Sequence, residues 1–262
     1  MNELKGCKRK PRRTIASRMT NIRPEKRKAC KILLPVSVSL KDKFPPVYYQ
    51  RYGNCTANAV LGCDDYLHHG NGHWIPSTTF TYYQQKRKEK PMLDDGSSVE
   101  KALKVVKRFG VCNSKVWGND RPFDERPTDE AYQDGLKGRE IKKWYEIHNV
   151  LQIKQALASG YPVAAAFSWV FIGYTEKTYT LYPSKPNKKD IDISSGHAVV
   201  IVGYDDLRQA VEIRNSWSNE WGDDGYAWME YQTLNRCIWW DDTYAVLPGS
   251  GQRSQRMASG AA

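Results

Sequence analysis

The sequence predicts an α+β fold built as two lobes, and three observations carry that prediction. Segments with helical spacing fall almost wholly in the first half of the 262-residue chain. Segments rich in β-branched and aromatic residues, broken by Gly, Asp and Asn turns, fall in the second half. No internal repeat is visible, and no run approaches the roughly eighteen apolar residues that a membrane-crossing helix needs.

Taken in order, residues 55–69 predict the first helix. Ala57, Val60, Leu61 and Leu67 share one face, and Asp64 and Asp65 read as a solvated one. "SSVEKALKVVKRFG" predicts a second, with Val99, Ala102, Leu103 and Val106 at helical spacing. Ser97 with Glu100 reads as its capping box and Gly110 as its stop. A short helix in "NVLQIKQALASG" is followed by the strands "PVAAAF", "HAVVIVGYD", "AVEIRNSW", "GYAWMEY" and "TYAVL". The predicted domain runs over residues 34–248, with a helical lobe at about 50–140 and a barrel-like antiparallel β lobe at about 141–248. A basic arm (1–33) precedes it and a small, polar tail (249–262) follows.

Composition places the body among folded proteins: 40% hydrophobic and 12% aromatic residues are too many for a disordered chain. The net charge of +11 is local. Residues 1–31 hold twelve Lys/Arg against two Glu, while the rest of the chain is nearly neutral. Such an arm is either a solvated or targeting tail or a patch for nucleic acid or another acidic partner. It lacks the apolar run of a secretory signal. The six cysteines are scattered without close pairs and read as reduced thiols. The only Asn-x-Ser/Thr acceptor is Asn54-Cys55-Thr56. Together these features predict an intracellular protein, cytoplasmic, nuclear or virion-borne, that is monomeric and needs no cofactor.

The candidate chemistry starts at Cys55, behind Gly53-Asn54 at the start of a predicted helix. A nucleophilic hydrolase needs an attacking group, a base and a residue that orients the base. His197, opening the buried run "HAVVIVGYDD", and Asn215, eighteen residues later in "NSWSNEWGDDGYAWM", supply the other two types. Two neighbouring strands joined by "DDLRQA" would set His197 beside Asn215.

These two segments closely resemble those of the papain-like cysteine peptidases, in which a His-Ala-Val strand is followed by Asn-Ser-Trp, Trp-Gly and Gly-Tyr. The order Cys, His, Asn matches, as do the 142 residues separating Cys55 from His197. The resemblance implies a two-lobed thiol endopeptidase acting on peptide or protein substrates. Cys55 would attack the carbonyl, His197 would move the proton, and Asn215 would fix the imidazole. Trp217 would shield that pair, and Trp221 would pack on the leaving-group side. It also implies an oxyanion hole from the Cys55 N–H and Gln50.

The sequence departs from the family pattern at Gln50, which lies five residues before the cysteine instead of six and is followed by Arg51. The family's Trp after the nucleophile is Thr56 here, and its disulfide partner just before the nucleophile is absent. "CTANA" resembles divergent, non-secreted branches. Whether the basic arm covers the groove stays open. So do two other classes: a catalytically silent protein- or nucleic-acid-binding relative, and an acyl transferase using the same three residues. Cys63, His68, His69 and His73 fit no common zinc spacing and read as a helix end with histidines on its C-terminal dipole. The substrate pocket is expected near residues 76–79, 164–167 and 195–196.

Overall fold

The structure is a computed structural model that describes residues 7–8, 33–68, 74–137, 141, 143–170, 180–181 and 191–248; for 169–170, 180–181 and 191–195 it describes the backbone alone. Most of the basic arm, His69, His73 and the tail from Gly249 lie outside the described residues. After β1 (Ser37–Ser39) come four helices: α1 (Cys55–Leu67), α2 (Thr78–Lys86), α3 (Val99–Phe109) and α4 (Asp129–Lys137). The second half holds β2 (Lys143–Glu146), α5 (Val150–Ala158), β3 (Val163–Val170), β4 (Thr180–Leu181) and β5 (Ile191–Asp205). It ends with β6 (Ala210–Arg214), β7 (Tyr226–Glu230), α6 (Tyr231–Cys237) and β8 (Ile238–Leu247).

The α+β division therefore holds, but the sheet is open where a barrel-like lobe was expected. Its order is β2-β8-β3-β5-β6-β7-β4, with β1 pairing with β5 off this path. Among the described residues its two ends do not pair with each other: β2 pairs through four residues with β8, and β4 pairs through two residues with β7, in parallel. The fifteen-residue β5 is the axis of the sheet, pairing along one edge with β3 and then with β1. Its C-terminal half pairs on the other side with β6.

α3 is the amphipathic helix that the spacing predicts. Val99, Ala102, Leu103 and Val106 are fully buried, and a large apolar side chain removed from water contributes about 1.5–3 kcal/mol. Its cap differs from the expectation. Ser98, one residue later than Ser97, accepts the Lys101 N–H at 3.3 Å. The Val99 and Glu100 N–H groups donate to the Asp242 carboxylate of β8 at 2.9 and 3.0 Å. With those donors satisfied from the sheet, Glu100 points out to Lys104, 2.9 Å away. Gly110 ends the helix at φ 67°, a conformation that disfavours a side chain.

α1 departs further from expectation. All thirteen residues are buried, because α2 and α3 cover one side and β5, β3 and β8 the other. Asp64 and Asp65 are therefore not on a solvated face. Asp65 accepts the Tyr48 hydroxyl, and Asp64 lies 3.2 Å from the His68 ring. His68 caps the helix end, with Nδ1 2.8 Å from the Asp64 carbonyl. Beneath α1 the buried Arg214 donates to the Pro45 and Pro46 carbonyls at 3.2 and 2.7 Å. Its guanidinium sits 4.8 Å from the centre of the Tyr48 ring. Arg214 thus joins the segment leading to α1 to the sheet.

Candidate active site

Cys55 is the first residue of α1 and is buried. The loop in front of it is fixed by side chains from elsewhere. Gly53 N–H donates to Asp94 Oδ1 at 2.8 Å, and Tyr82 donates to the same oxygen at 2.9 Å. The Tyr82 hydroxyl in turn accepts the Gly96 N–H at 3.1 Å. Asn54 stands at the cap position without capping; its side chain instead meets Asn58 at 3.0 Å and Thr78 at 3.4 Å. At the second residue of the helix, Gln85 of α2 donates to the Thr56 hydroxyl at 3.0 Å. α1 packs along β5, the strand that carries His197.

His197 lies opposite Phe167 of β3 and is fully buried. Its Nε2 is 2.8 Å from Asn215 Oδ1. The same Oδ1 accepts the Ser216 N–H at 2.8 Å, which identifies it as the oxygen of the carboxamide. His197 Nε2 must then be the donor, so Nδ1 is the basic nitrogen of the neutral ring. Burial pulls the imidazole down to about 4, against the opposing bond to Asn215. Trp217 covers this pair with ring centroids 4.8 Å apart, and Trp221 meets Trp217 edge-on at 5.8 Å.

Asn215 owes its position to the turn that follows it. Its N–H donates to the Gly225 carbonyl at 2.9 Å, and the Gly225 N–H closes onto the Trp221 carbonyl at 2.7 Å. Gly225 has φ 86°, and a Cβ there would lie 2.5 Å from Val47.

Gln50 lies beside the segment that follows Asn215, because residues 48–50 run beside residues 216–218. The Gln50 N–H donates to the Ser216 carbonyl at 2.7 Å and the Ser218 N–H to the Tyr48 carbonyl at 3.0 Å. The buried carboxamide is held at both ends: Ser216 Oγ donates to Oε1, and Nε2 donates to the Tyr52 carbonyl, each at 2.8 Å.

Four supporting residues go unremarked in the sequence reading: Tyr82, Asp94, Ser216 and Gly225. The last two stand inside the "NSWSNEWGDDGY" motif, so the motif was the available signal. Tyr82 and Asp94 carry none, since their bonds join segments about thirty to forty residues from the loop they hold. Among the described residues no group of His, Cys, Asp and Glu is placed to hold a metal ion. None of the described helices is long and apolar enough to cross a membrane.

Known proteins resemble this chain over most of its length. The sequence pattern of the papain family cysteine proteases matches residues 54–247. An uncharacterized peptidase C1-like protein of Acanthamoeba polyphaga mimivirus is 30% identical over 210 residues, covering 74% of this chain and 67% of its own. Pro-cathepsin H of Medicago truncatula is 39% identical over 84 residues, which span 30% of this chain and 23% of that protein. Among solved structures, xylellain, a cysteine protease from Xylella fastidiosa, superposes with a TM-score of 0.72 at 30% identity, covering 82% of this chain and 87% of that one. Procathepsin B of Trypanosoma congolense shares the fold, with a TM-score of 0.67 at 17% identity over 94% of this chain and 87% of that one. The matched pattern spans α1, the β5–β6 pair and the turn that follows it, and the chain belongs to the papain family of cysteine proteases.

Proposed function

We propose that this chain is a cysteine endopeptidase using Cys55, His197 and Asn215. The observation that carries the reading is the orientation of His197. Asn215 Oδ1 accepts a hydrogen bond from Nε2–H, which leaves Nδ1 as the nitrogen that exchanges a proton with the nucleophile.

In the reaction the Cys55 thiol gives its proton to His197 Nδ1, and the sulfur attacks the peptide carbonyl carbon. The carbonyl π electrons move to oxygen, and the oxyanion accepts bonds from the Cys55 N–H and from Gln50 Nε2. Anchoring Nε2 to the Tyr52 carbonyl and Oε1 to Ser216 fixes the plane of that carboxamide before substrate arrives. Collapse breaks the C–N bond, and the amine leaves with the proton from Nδ1. His197 then takes a proton from water, whose oxygen attacks the thioester, and the acid and the thiol are released.

Burial opposes a positive charge on His197, so the imidazolium needs a counter-charge, and a Cys55 thiolate supplies it. The positive end of α1, thirteen residues long, favours that thiolate. Trp217 keeps water from the His197–Asn215 bond. The xylellain likeness and the family membership support the same chemistry.

A thiol-directed epoxide or vinyl sulfone is the direct test. The expected result is labelling at Cys55, lost in Cys55→Ala, together with cleavage of a diverse peptide library. Folded protein that takes up no label at neutral pH and cleaves no peptide sinks the proposal.

A further inference from the structure

The run "DDGSS" at residues 94–98 ties several parts of the site together. Asp94 holds Gly53 and Tyr82, Gly96 N–H meets Tyr82, and Ser98 caps α3. Asp95 faces outward, and its Oδ1 lies 2.6 Å from Lys86 Nζ and 2.6 Å from Lys8 Nζ. Lys8 is far away in sequence, and its backbone is laid across the same place. Its N–H donates to the Ser97 carbonyl at 2.6 Å, and the Cys7 N–H donates to the Gly196 carbonyl at 3.0 Å. Gly196 precedes His197, and a Cβ there would lie 2.7 Å from the Cys7 carbonyl oxygen. An extended piece of this chain's own backbone therefore reaches from the helical half to the strand of the candidate base. Its lysine side chain is drawn onto Asp95.

We propose that Asp95, with Glu89 beside it, determines specificity by selecting a lysine or arginine side chain in the peptide that displaces Cys7–Lys8. This rests on the peptidase reading above and names its substrate class. Cys7–Lys8 shows how a peptide backbone lies there and which side chain the neighbouring surface accepts. Lys8 Nζ is 3.9 Å from Glu89 as well. Lys86 pairs with both carboxylates and Lys101 with Glu89, so what a carboxylate in place of Lys8 would lose is the 2.6 Å ion pair with Asp95, which it would meet as a like charge. Burial pushes the Asp95 carboxyl up, but the ammonium groups of Lys8 and Lys86 outweigh it and hold the group below its ordinary value. The Lys8 and Asp95 side chains are 42% and 46% exposed, so the selection is modest. An ion pair of that exposure supports a preference of about three- to fivefold. The lysine of the chain's own arm competes for the same carboxylate.

The test uses matched fluorogenic peptides with Lys, norleucine or Glu at each position in turn, cleaved by the full chain. At one position kcat/KM is expected to run Lys above norleucine above Glu, with Lys ahead of norleucine by about three- to fivefold. That ratio falls towards one in Asp95→Asn, is restored in Asp95→Glu and shrinks at 0.5 M salt. Lys8→Met lowers KM for the lysine peptide more than for its norleucine partner. Equal cleavage of Lys and norleucine peptides, or a preference that survives Asp95→Asn, overturns the proposal while leaving a peptidase in place. If no peptide is cleaved, the peptidase reading fails by itself. Anisotropy of the labelled lysine and norleucine peptides on the Lys8→Met chain then decides the subsite, tighter lysine binding supporting it and equal binding overturning it.

Discussion

The cysteine end and the histidine end of the site are held by different kinds of bond. Cys55 follows a loop fixed by individual side chains, with Asp94 accepting from Gly53 and from the Tyr82 hydroxyl that braces it. His197 stands in a strand paired to β3, and Asn215 follows directly on β6. The first arrangement can be undone one hydroxyl or carboxylate at a time. The second is a register, and shifting it by one residue would turn every side chain of β5 to the other face. The difference teaches that single substitutions should tune the cysteine end, while the histidine end should change only through burial, charge or packing.

Arg214 is where the two ends are joined, so it offers the largest break. Replacing it with Met removes a buried cation from the Pro45 and Pro46 carbonyls and from the face of Tyr48. Tyr48, whose hydroxyl donates to Asp65, then loses the positive charge on its ring face. Leaving the two proline carbonyls without their donor is expected to cost about 2–5 kcal/mol in urea unfolding, at roughly 1–3 kcal/mol for each unsatisfied group. A loss below about 1 kcal/mol would show that the halves are joined elsewhere.

Burial at the histidine end makes a pH prediction. His197 is pulled down to about 4 by desolvation, from an unfolded value of about 6.5. The unfolded chain therefore binds this proton more readily. In Cys55→Ala, where no thiolate faces the ring, the stability contributed by the neutral ring is fully present above about 6.5 and is lost as pH falls towards 4, on the order of 3 kcal/mol over that window. In Cys55→Ala, the ring protons should titrate close to 4 by NMR. The unmodified protein should titrate higher, because a thiolate supports the imidazolium. Identical titration in both would break the proposed coupling of Cys55 to His197.

The histidine end was also the more legible of the two in the sequence. "HAVVIVGYD" and "AVEIRNSW" announce strands through their β-branched residues, and the short turn between them places Asn215 beside His197. The buried acids of α1 were not legible, because Asp64 and Asp65 look solvated until three strands and two helices close around them. The α3 cap was misplaced by one residue because its second capping group is Asp242, more than 140 residues away. Barrel closure was misjudged because strand content says nothing about which edges pair.

At the cysteine end, Asp94→Asn keeps the size of the side chain and removes the charge that Gly53 and Tyr82 share. The expected loss is about 1.5 kcal/mol, the scale of hydrogen bonds to a charged group. It should appear as slower alkylation of Cys55 with little change in the titration of His197. Tyr82→Phe removes the bond to Gly96 as well and should act in the same direction. Equal effects at both ends would mean that the loop and the sheet are not independent supports.

The smallest expected effect falls where the two ends touch. Ser216 sits next to Asn215 and donates to Gln50 Oε1, so it links the orienting residue to the proposed oxyanion donor. Ser216→Ala removes that hydroxyl and leaves the backbone bond between Gln50 N–H and the Ser216 carbonyl in place. Gln50 therefore stays in position, but its carboxamide is anchored only through Tyr52. The loss of one neutral hydrogen bond, about 1 kcal/mol, corresponds to roughly a fivefold fall in rate. Because the oxyanion forms only as the thiol adds, the fall should lie in kcat, with KM nearly unchanged. A rise in KM at constant kcat would instead place Ser216 and Gln50 in ground-state binding, and would remove Gln50 from the oxyanion site.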